Sequence, residues 1–277
     1  MYRQDGKMNM DHDNNLNVNG QDGSPAISGK AAQIYRTIRE RFLAVLKEHD
    51  VKPGRVRITS QGLSPEEAIG RTDRTDMPIL TGKEIMLQAS YEGSRGQAFT
   101  DAPALFEGPL DDILAMDLER DPHARGLYLA AMNAVLRHLG CLDHTVHCKD
   151  MEPKDCSGRW LEHLKEKYDG GRVALVGYQP WLFQAISADD TFALRVLDLN
   201  PDNVGAERFG VVVKHGIDDY REVVREWADV VLCTSSVFAN ATMDRYIDIG
   251  TDVLFYGISG AGAIYLLGLQ RFCPLSA

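Results

Sequence analysis

The 277-residue chain has no long apolar run: its longest candidate, AIYLLGL near the C-terminus, falls far short of the roughly 18 residues that a membrane-spanning helix needs. No membrane span is expected. Lys and Arg do not cluster, and with a net charge of -10 and a pI near 5.3 the chain lacks the basic face that a polyanion binder uses. Nucleic acid and anionic membranes are therefore excluded as main partners. Cysteine is scarce and odd in number, five residues, which suits reduced thiols better than a disulfide framework. The lead-in over residues 1–27 has no apolar core of the kind a secretory signal requires, and its Asn, Asp and Gly content reads as a disordered tail. A cytoplasmic protein is expected. Common catalytic and nucleotide motifs are missing as well: there is no G-x-G-x-x-G, Walker A, G-x-S-x-G, H-E-x-x-H or C-x-x-C.

What is present is ordinary globular composition, 44% hydrophobic and 25% charged. From Ser28, residues Ile34, Ile38, Phe42, Val45 and Leu46 recur at helical spacing up to a stop at Lys52-Pro53-Gly54. RVRITSQGL and KEIMLQASYEG read as strands separated by the loop GRTDRTDMP, and two helices follow, over PLDDILAMDLER and HARGLYLAAMNAVLRHLG. This makes an α+β domain over 28–143. After residue 157 short Val, Ile and Leu runs alternate with helical patterns: RVALVG, LRVLDLN, VVV, DVVLCTSS and DVLFYG are strands, while QPWLFQAIS, IDDYREVVREWA, ATMDRYIDI and SGAGAIYLLGL are helices. Such near-continuous apolar strands belong to a parallel sheet buried on both faces, so residues 158–277 are expected to form a Rossmann-like domain with helices on both sides. Residues 144–157 are then an interdomain linker.

In an open parallel sheet, ligands bind beyond the carboxyl ends of the strands. The first such end carries a single glycine, Gly177, so a standard NAD(P) site is not expected. Asp198 lies about 20 residues further on, the interval of an acid that accepts from a ribose hydroxyl. Its loop, DLNPDN with Asn200 and Asn203, reads equally as an Asx-turn. Later ends carry Thr234, Ser235 and Asn240, then Ser259 and Gly260 within GISGAG. Small hydroxylated and glycine residues there expose backbone N–H groups to an anion, or simply make caps and tight turns. Cys233 lies inside an apolar strand and reads as a buried small hydrophobe.

The linker, HTVHCKDMEPKDC over 144–156, crowds His144, His147, Cys148 and Cys156 among acids, the donor types of a borderline-soft ion such as zinc. In an extended chain, however, His144 and Cys148 stand about 13 Å apart at roughly 3.3 Å per residue, so a local four-ligand chelate requires an irregular backbone. The favoured reading is that His147, Cys148 and Glu152 face an interdomain cleft as candidate metal ligands. Cys156, with Asp155 or Ser157 as N-cap, is expected at a helix N-terminus that favours its thiolate.

The strings LTGKE, GQAFTDAP, NAVLRHLG, TVHCKDMEP, VALVGYQP, LDLNPDNVG, LCTS followed by Asn240, FYGISGAGA and RFCP resemble the bacterial and archaeal family described as "putative heavy-metal chelation". The resemblance spans about Lys30 to Cys273. It implies an enolase N-terminal-like domain followed by a Rossmann-like one, with a site between them, and it places His147, Cys148, Asp198, Asn203, Asn240 and Gly260 on motif positions. Ser235 departs from it, standing where glycine is expected. The candidate cofactor is a transition-metal ion, and the candidate partner a small anionic molecule or metal chelate; self-association stays open. Three functions remain: binding a metal or its chelate in the cleft; an enzyme acting there on an anionic metabolite; or a non-catalytic binding module.

Overall fold

The computed structural model describes residues 27–51, 55–58, 63–82, 84–168 and 170–277. The lead-in up to residue 26 and the stop at Lys52-Pro53-Gly54 lie outside the described residues.

Helix α1 (Gly29–Glu48) starts at Ser28, whose side chain accepts from the Ala31 N–H, and buries Ile34, Tyr35, Ile38, Phe42 and Leu46 on one face. Strand β1 (Arg55–Ile58) follows, then α2 (Pro65–Ile69), opened by a capping box between Ser64 and Glu67, and a 3₁₀ turn over Pro78–Thr81. Strands β2 (Ile85–Tyr91) and β3 (Ser94–Thr100) form a hairpin turning at Glu92 and Gly93, both at positive φ. Strand β4 (Phe106–Pro109) leads into α3 (Leu110–Leu114) and α4 (Pro122–His138). The four strands make an antiparallel sheet in the order β3-β2-β1-β4. The helix expected over 109–120 is shorter. The Asp117 carboxylate accepts from the Glu119 and Arg120 N–H groups at 3.0 and 3.1 Å, and this local bonding competes with helix continuation.

The second half comprises α5 (Glu152–Tyr168), β5 (Gly171–Val176), α6 (Pro180–Ser187), β6 (Phe192–Asp198), β7 (Glu207–Arg208) and β8 (Val211–His215). A π-helical segment (Arg221–Trp227), β9 (Val230–Thr234), 3₁₀ turns over Ser235–Phe238 and Met243–Arg245, β10 (Asp252–Tyr256) and α7 (Ala261–Leu267) complete it. The sheet order is β10-β9-β5-β6-β8-β7, parallel except for β7. The helix expected over 241–249 is only a short turn, because Ala241 and Asp248 adopt φ of 61° and 58°, which interrupt α-helix.

Alternation along the parallel strands divides their side chains between two cores. Val173, Leu175, Leu232 and Leu254 pack with Trp160, Leu182 and Phe183 of α5 and α6. Ala174, Val176, Val231, Cys233 and Phe255 join the opposite cluster, which runs without a break through Phe238 and Ile264 to Leu129, Leu87 and Phe42 of the first half. The expectation of a parallel sheet covered by helices on both faces thus holds, and Cys233 is the buried small hydrophobe expected of it.

The seam between the halves is polar at one point. Asn133 of α4 is fully buried, and its Nδ2 donates to the carbonyls of Gln97, Ile258 and Ser259 at 3.0, 2.9 and 3.1 Å. Its Oδ1 accepts from the Gly262 N–H at 2.8 Å. Helix α4 lies so close to β3 that a Cβ on Gly96 would stand 2.2 Å from the Ala134 nitrogen. Replacing Asn133 with Ala would strand the Gln97 and Ser259 carbonyls and the Gly262 N–H, while the Ile258 carbonyl keeps its bond from the Ala261 N–H. The expected loss is about 3 kcal/mol or more in urea unfolding, whereas Leu43→Ala on the exposed face of α1 should cost under about 1 kcal/mol.

Candidate functional site

Chain order reverses between β5 and β9, which are spatial neighbours although β6 and β8 intervene in sequence. Loops leaving a sheet diverge at such a switch point. A cavity of about 440 Å³ opens there, floored by Gly177, Asp198, Thr234, Ser235 and Gly257 at the strand ends. Its opposite wall comes from the antiparallel half through Ile79, Glu84, Phe99 and Asp101, and a third side from His147, Cys148, Cys156, Trp160 and Cys273.

Of the residues expected at the site, Gly177, Asp198, Asn200, Asn203, Thr234, Ser235, Asn240 and Ser259 all line this cavity, as do His147 and Cys148. Gly260 and Glu152 do not line it. A Cβ on Gly260 would meet Phe238 Cδ2 at 2.5 Å and the Ser235 carbonyl oxygen at 2.9 Å, so this glycine serves close packing. The Glu152 carboxylate accepts from the Lys149 N–H at 2.7 Å on an exposed turn.

Gly177 has a φ of 90°, and a Cβ there would stand 2.7 Å from Thr234 Cγ2. The position therefore needs glycine for both conformation and space. Asp198 bonds as the Asx-turn reading requires, its Oδ1 accepting from Asn200 N–H at 2.7 Å, while Oδ2 accepts from Tyr178 N–H at 2.7 Å. Asn203 Nδ2 adds a longer donation to Asp198 at 3.4 Å. The other loops are also bonded internally. Thr234 Oγ1 accepts from Ser236 N–H, Gln179 Oε1 from Leu182 N–H, Ser259 Oγ from Phe99 N–H, and Asn240 Oδ1 from Thr242 N–H. Of the backbone donors expected to face an anion, those of Tyr178 and Ser236 are thus engaged by side chains.

The linker is irregular at both ends, with His144 and Asp150 each at a φ of 55°. Between them it is pinned: Gln97 N–H donates to the Thr145 carbonyl at 3.0 Å, and His147 N–H to Gln97 Oε1 at 2.8 Å. His144 Nδ1 bonds to the Ser276 carbonyl, away from the cavity wall. His147 Nδ1 lies 2.5 Å from the Cys148 carbonyl oxygen, which can only accept, so Nδ1 carries the proton and Nε2 the lone pair. Burial lowers the His147 pKa and keeps the ring neutral, the state in which imidazole ligates a metal.

The thiols behave differently from expectation. Helix α5 begins at Glu152, so Cys156 lies inside it with Pro153 in the first turn, and burial pushes the Cys156 thiol up to about 12. The helix-terminal thiolate is corrected to a protonated, buried thiol. Burial, then the neighbouring Cys273 and Cys156, raises Cys148 still further. His147 and Cys148 fit an ion that brings much of its own coordination. Among the described residues, no three His, Cys, Asp or Glu side chains are grouped to hold a metal ion.

Sequence reading included Glu84 in the string LTGKE but did not select it as a site residue. It precedes β2 and lines the cavity, where burial and then the Asp198 and Asp101 carboxylates raise its pKa to about 7. A clasp beside it was also missed. The Arg74 guanidinium pairs with both Asp76 oxygens at 2.7 Å and lies over Trp181 at 4.7 Å, while Tyr178 OH donates to Asp76 at 2.9 Å. It joins the loop of the first half to α6 and the end of β5.

Residues 159–263 match the model of a family described as "Putative heavy-metal chelation". A crystal structure of a protein with unknown function from that family, DUF364, from Pyrococcus horikoshii is 14% identical to this chain. The match covers 82% of this chain and 80% of that one, with a TM-score of 0.48. No curated protein matches the chain. Among the described residues, no helix is long and apolar enough to cross a membrane.

Two outcomes are expected from this geometry. Folded Glu84 keeps its proton up to about 7 whereas an unfolded one releases it near 4.5, so its contribution to stability falls as pH rises through that window. Glu84→Gln should therefore stabilise the fold at about pH 8 by on the order of 2 kcal/mol, seen as a higher melting temperature, and have little effect at about pH 4. Iodoacetamide on native protein near neutral pH should label the half-exposed Cys141 and Cys273. Peptide mass spectrometry should find Cys148, Cys156 and Cys233 unmodified until the chain unfolds.

Proposed function

With residues 159–263 matching a family described by heavy-metal chelation, we propose that the cavity holds a small organic metal chelator, with His147 and Cys148 as the protein's donors to the ion it carries. The observation behind this reading is the coexistence of two features in one cavity. Its volume of about 440 Å³ and walls of Phe99, Trp160, Tyr178, Leu182 and Ile258 suit an organic molecule rather than a bare ion. One side presents an unprotonated imidazole nitrogen next to a thiol, donors suited to a borderline-soft cation. A bound ion would favour the Cys148 thiolate, so loading should release a proton.

The ligand need not be anionic. The Tyr178 and Ser236 N–H groups are engaged by side chains, and among the described lining residues Glu84, Asp101 and Asp198 are acidic while none is Lys or Arg. A second reading, an enzyme acting on the same ligand, is favoured by Glu84, whose pKa near 7 suits proton transfer at neutral pH.

Calorimetric titration with the one-to-one Zn²⁺–bipyridine complex, which leaves coordination positions open, tests the proposal against Zn²⁺ alone and bipyridine alone. The complex should bind at least about tenfold tighter than either component, and His147→Ala with Cys148→Ser should remove that advantage. Equal binding of bare Zn²⁺, or a complex indifferent to both substitutions, would overturn it.

A further inference from the structure

The carboxyl groups of the cavity come from both halves of the chain. Glu84 and Asp101 belong to the antiparallel half and Asp198 to the parallel half, and no Lys or Arg is among the described residues lining the cavity. Asp198 is held by the N–H groups of Tyr178 and Asn200. Glu84 feels both neighbouring acids and avoids a third charge by keeping its proton until about 7.

Ser235 supplies a second and independent observation. It is 1% exposed and lines the same cavity, yet among the described residues its Oγ has no hydrogen-bond partner. Buried hydroxyls are ordinarily paired, so an orphan at a cavity wall points to a group the cavity receives. Other polar atoms of the floor are engaged: Tyr256 OH donates to the Val176 and Gly177 carbonyls, Thr234 Oγ1 caps Ser236, and Asn240 Oδ1 accepts from Thr242. The carboxyl oxygens of Glu84 and Asp101 and the Ser235 hydroxyl offer a ligand acceptors under negative potential.

We propose that the ligand of this cavity is a small organic amine, its ammonium group received among the carboxylates at Glu84 and a second hydrogen bond made to Ser235 Oγ. This rests on the reading of the cavity as a small-molecule site and names the chemical class of its occupant. Glu84 releases its proton to water as the ammonium arrives, and the aromatic and aliphatic walls take the carbon body of the amine.

Benzylamine and benzoate share a ring and differ in the sign of the attached group, so calorimetric titration with each near neutral pH is a direct test. Benzylamine should give a saturable isotherm and benzoate none. Glu84→Gln should weaken benzylamine by about tenfold or more, and Ser235→Ala by about threefold or more, with thermal melting confirming that both variants are folded. Preference for benzoate, or unchanged benzylamine affinity in Glu84→Gln, would overturn the assignment. If neither probe binds but Zn²⁺–bipyridine does, the amine class is wrong and the chelator reading stands; if all three are silent, both fall.

Discussion

The Asn133 side chain is the point on which the two halves are registered. An amide without solvent must satisfy its donors and acceptor from fixed backbone groups, and its partners come from β3 on one side and from the loop after β10 and the first turn of α7 on the other. Apolar contacts alone would let α4 slide over the sheet, because burial is non-directional, whereas the amide admits one alignment. That alignment sets where β3 lies and, through Gln97, where the linker runs past the strand ends. The cavity is a downstream result of this registration.

Parts of this arrangement were legible in the sequence because they depend on local pattern. The apolar runs of β5, β6, β9 and β10 specify a sheet buried on both sides, and positions beyond their ends follow from topology. That is why so many strand-end residues chosen by pattern share one cavity wall. Strand β3 was illegible for a physical reason. SRGQAFT places a glycine and a glutamine where an apolar alternation would have marked a strand, since Gly96 is needed for the approach of α4 and Gln97 for the linker. The role of Glu84 was illegible because it arises from burial in the cavity and then from Asp198, over a hundred residues later and across the seam, and from Asp101. The start of α5 was recoverable: Pro153 in a first turn is a helix signal, and it placed Cys156 inside the helix.

The cavity combines two chemistries with different requirements. Under the proposed function a neutral imidazole and a thiol at one side would serve soft coordination and tolerate a dry wall, whereas the carboxyl groups opposite them would call for charge compensation. On the proposed reading, one elongated guest would meet both. The Asx-turns and capping hydroxyls around the floor hold the loops rigid without help from a ligand, so the site is preformed.

The larger apolar cluster passes from α1 through α4 to the parallel sheet without interruption. In evolutionary terms the two halves are therefore not interchangeable modules. A substitution on α4 is felt by both sheets at once, so the halves must be inherited as a matched pair. A counterpart borrowed from another chain would arrive with a face shaped for a different neighbour, and with it a differently walled cavity.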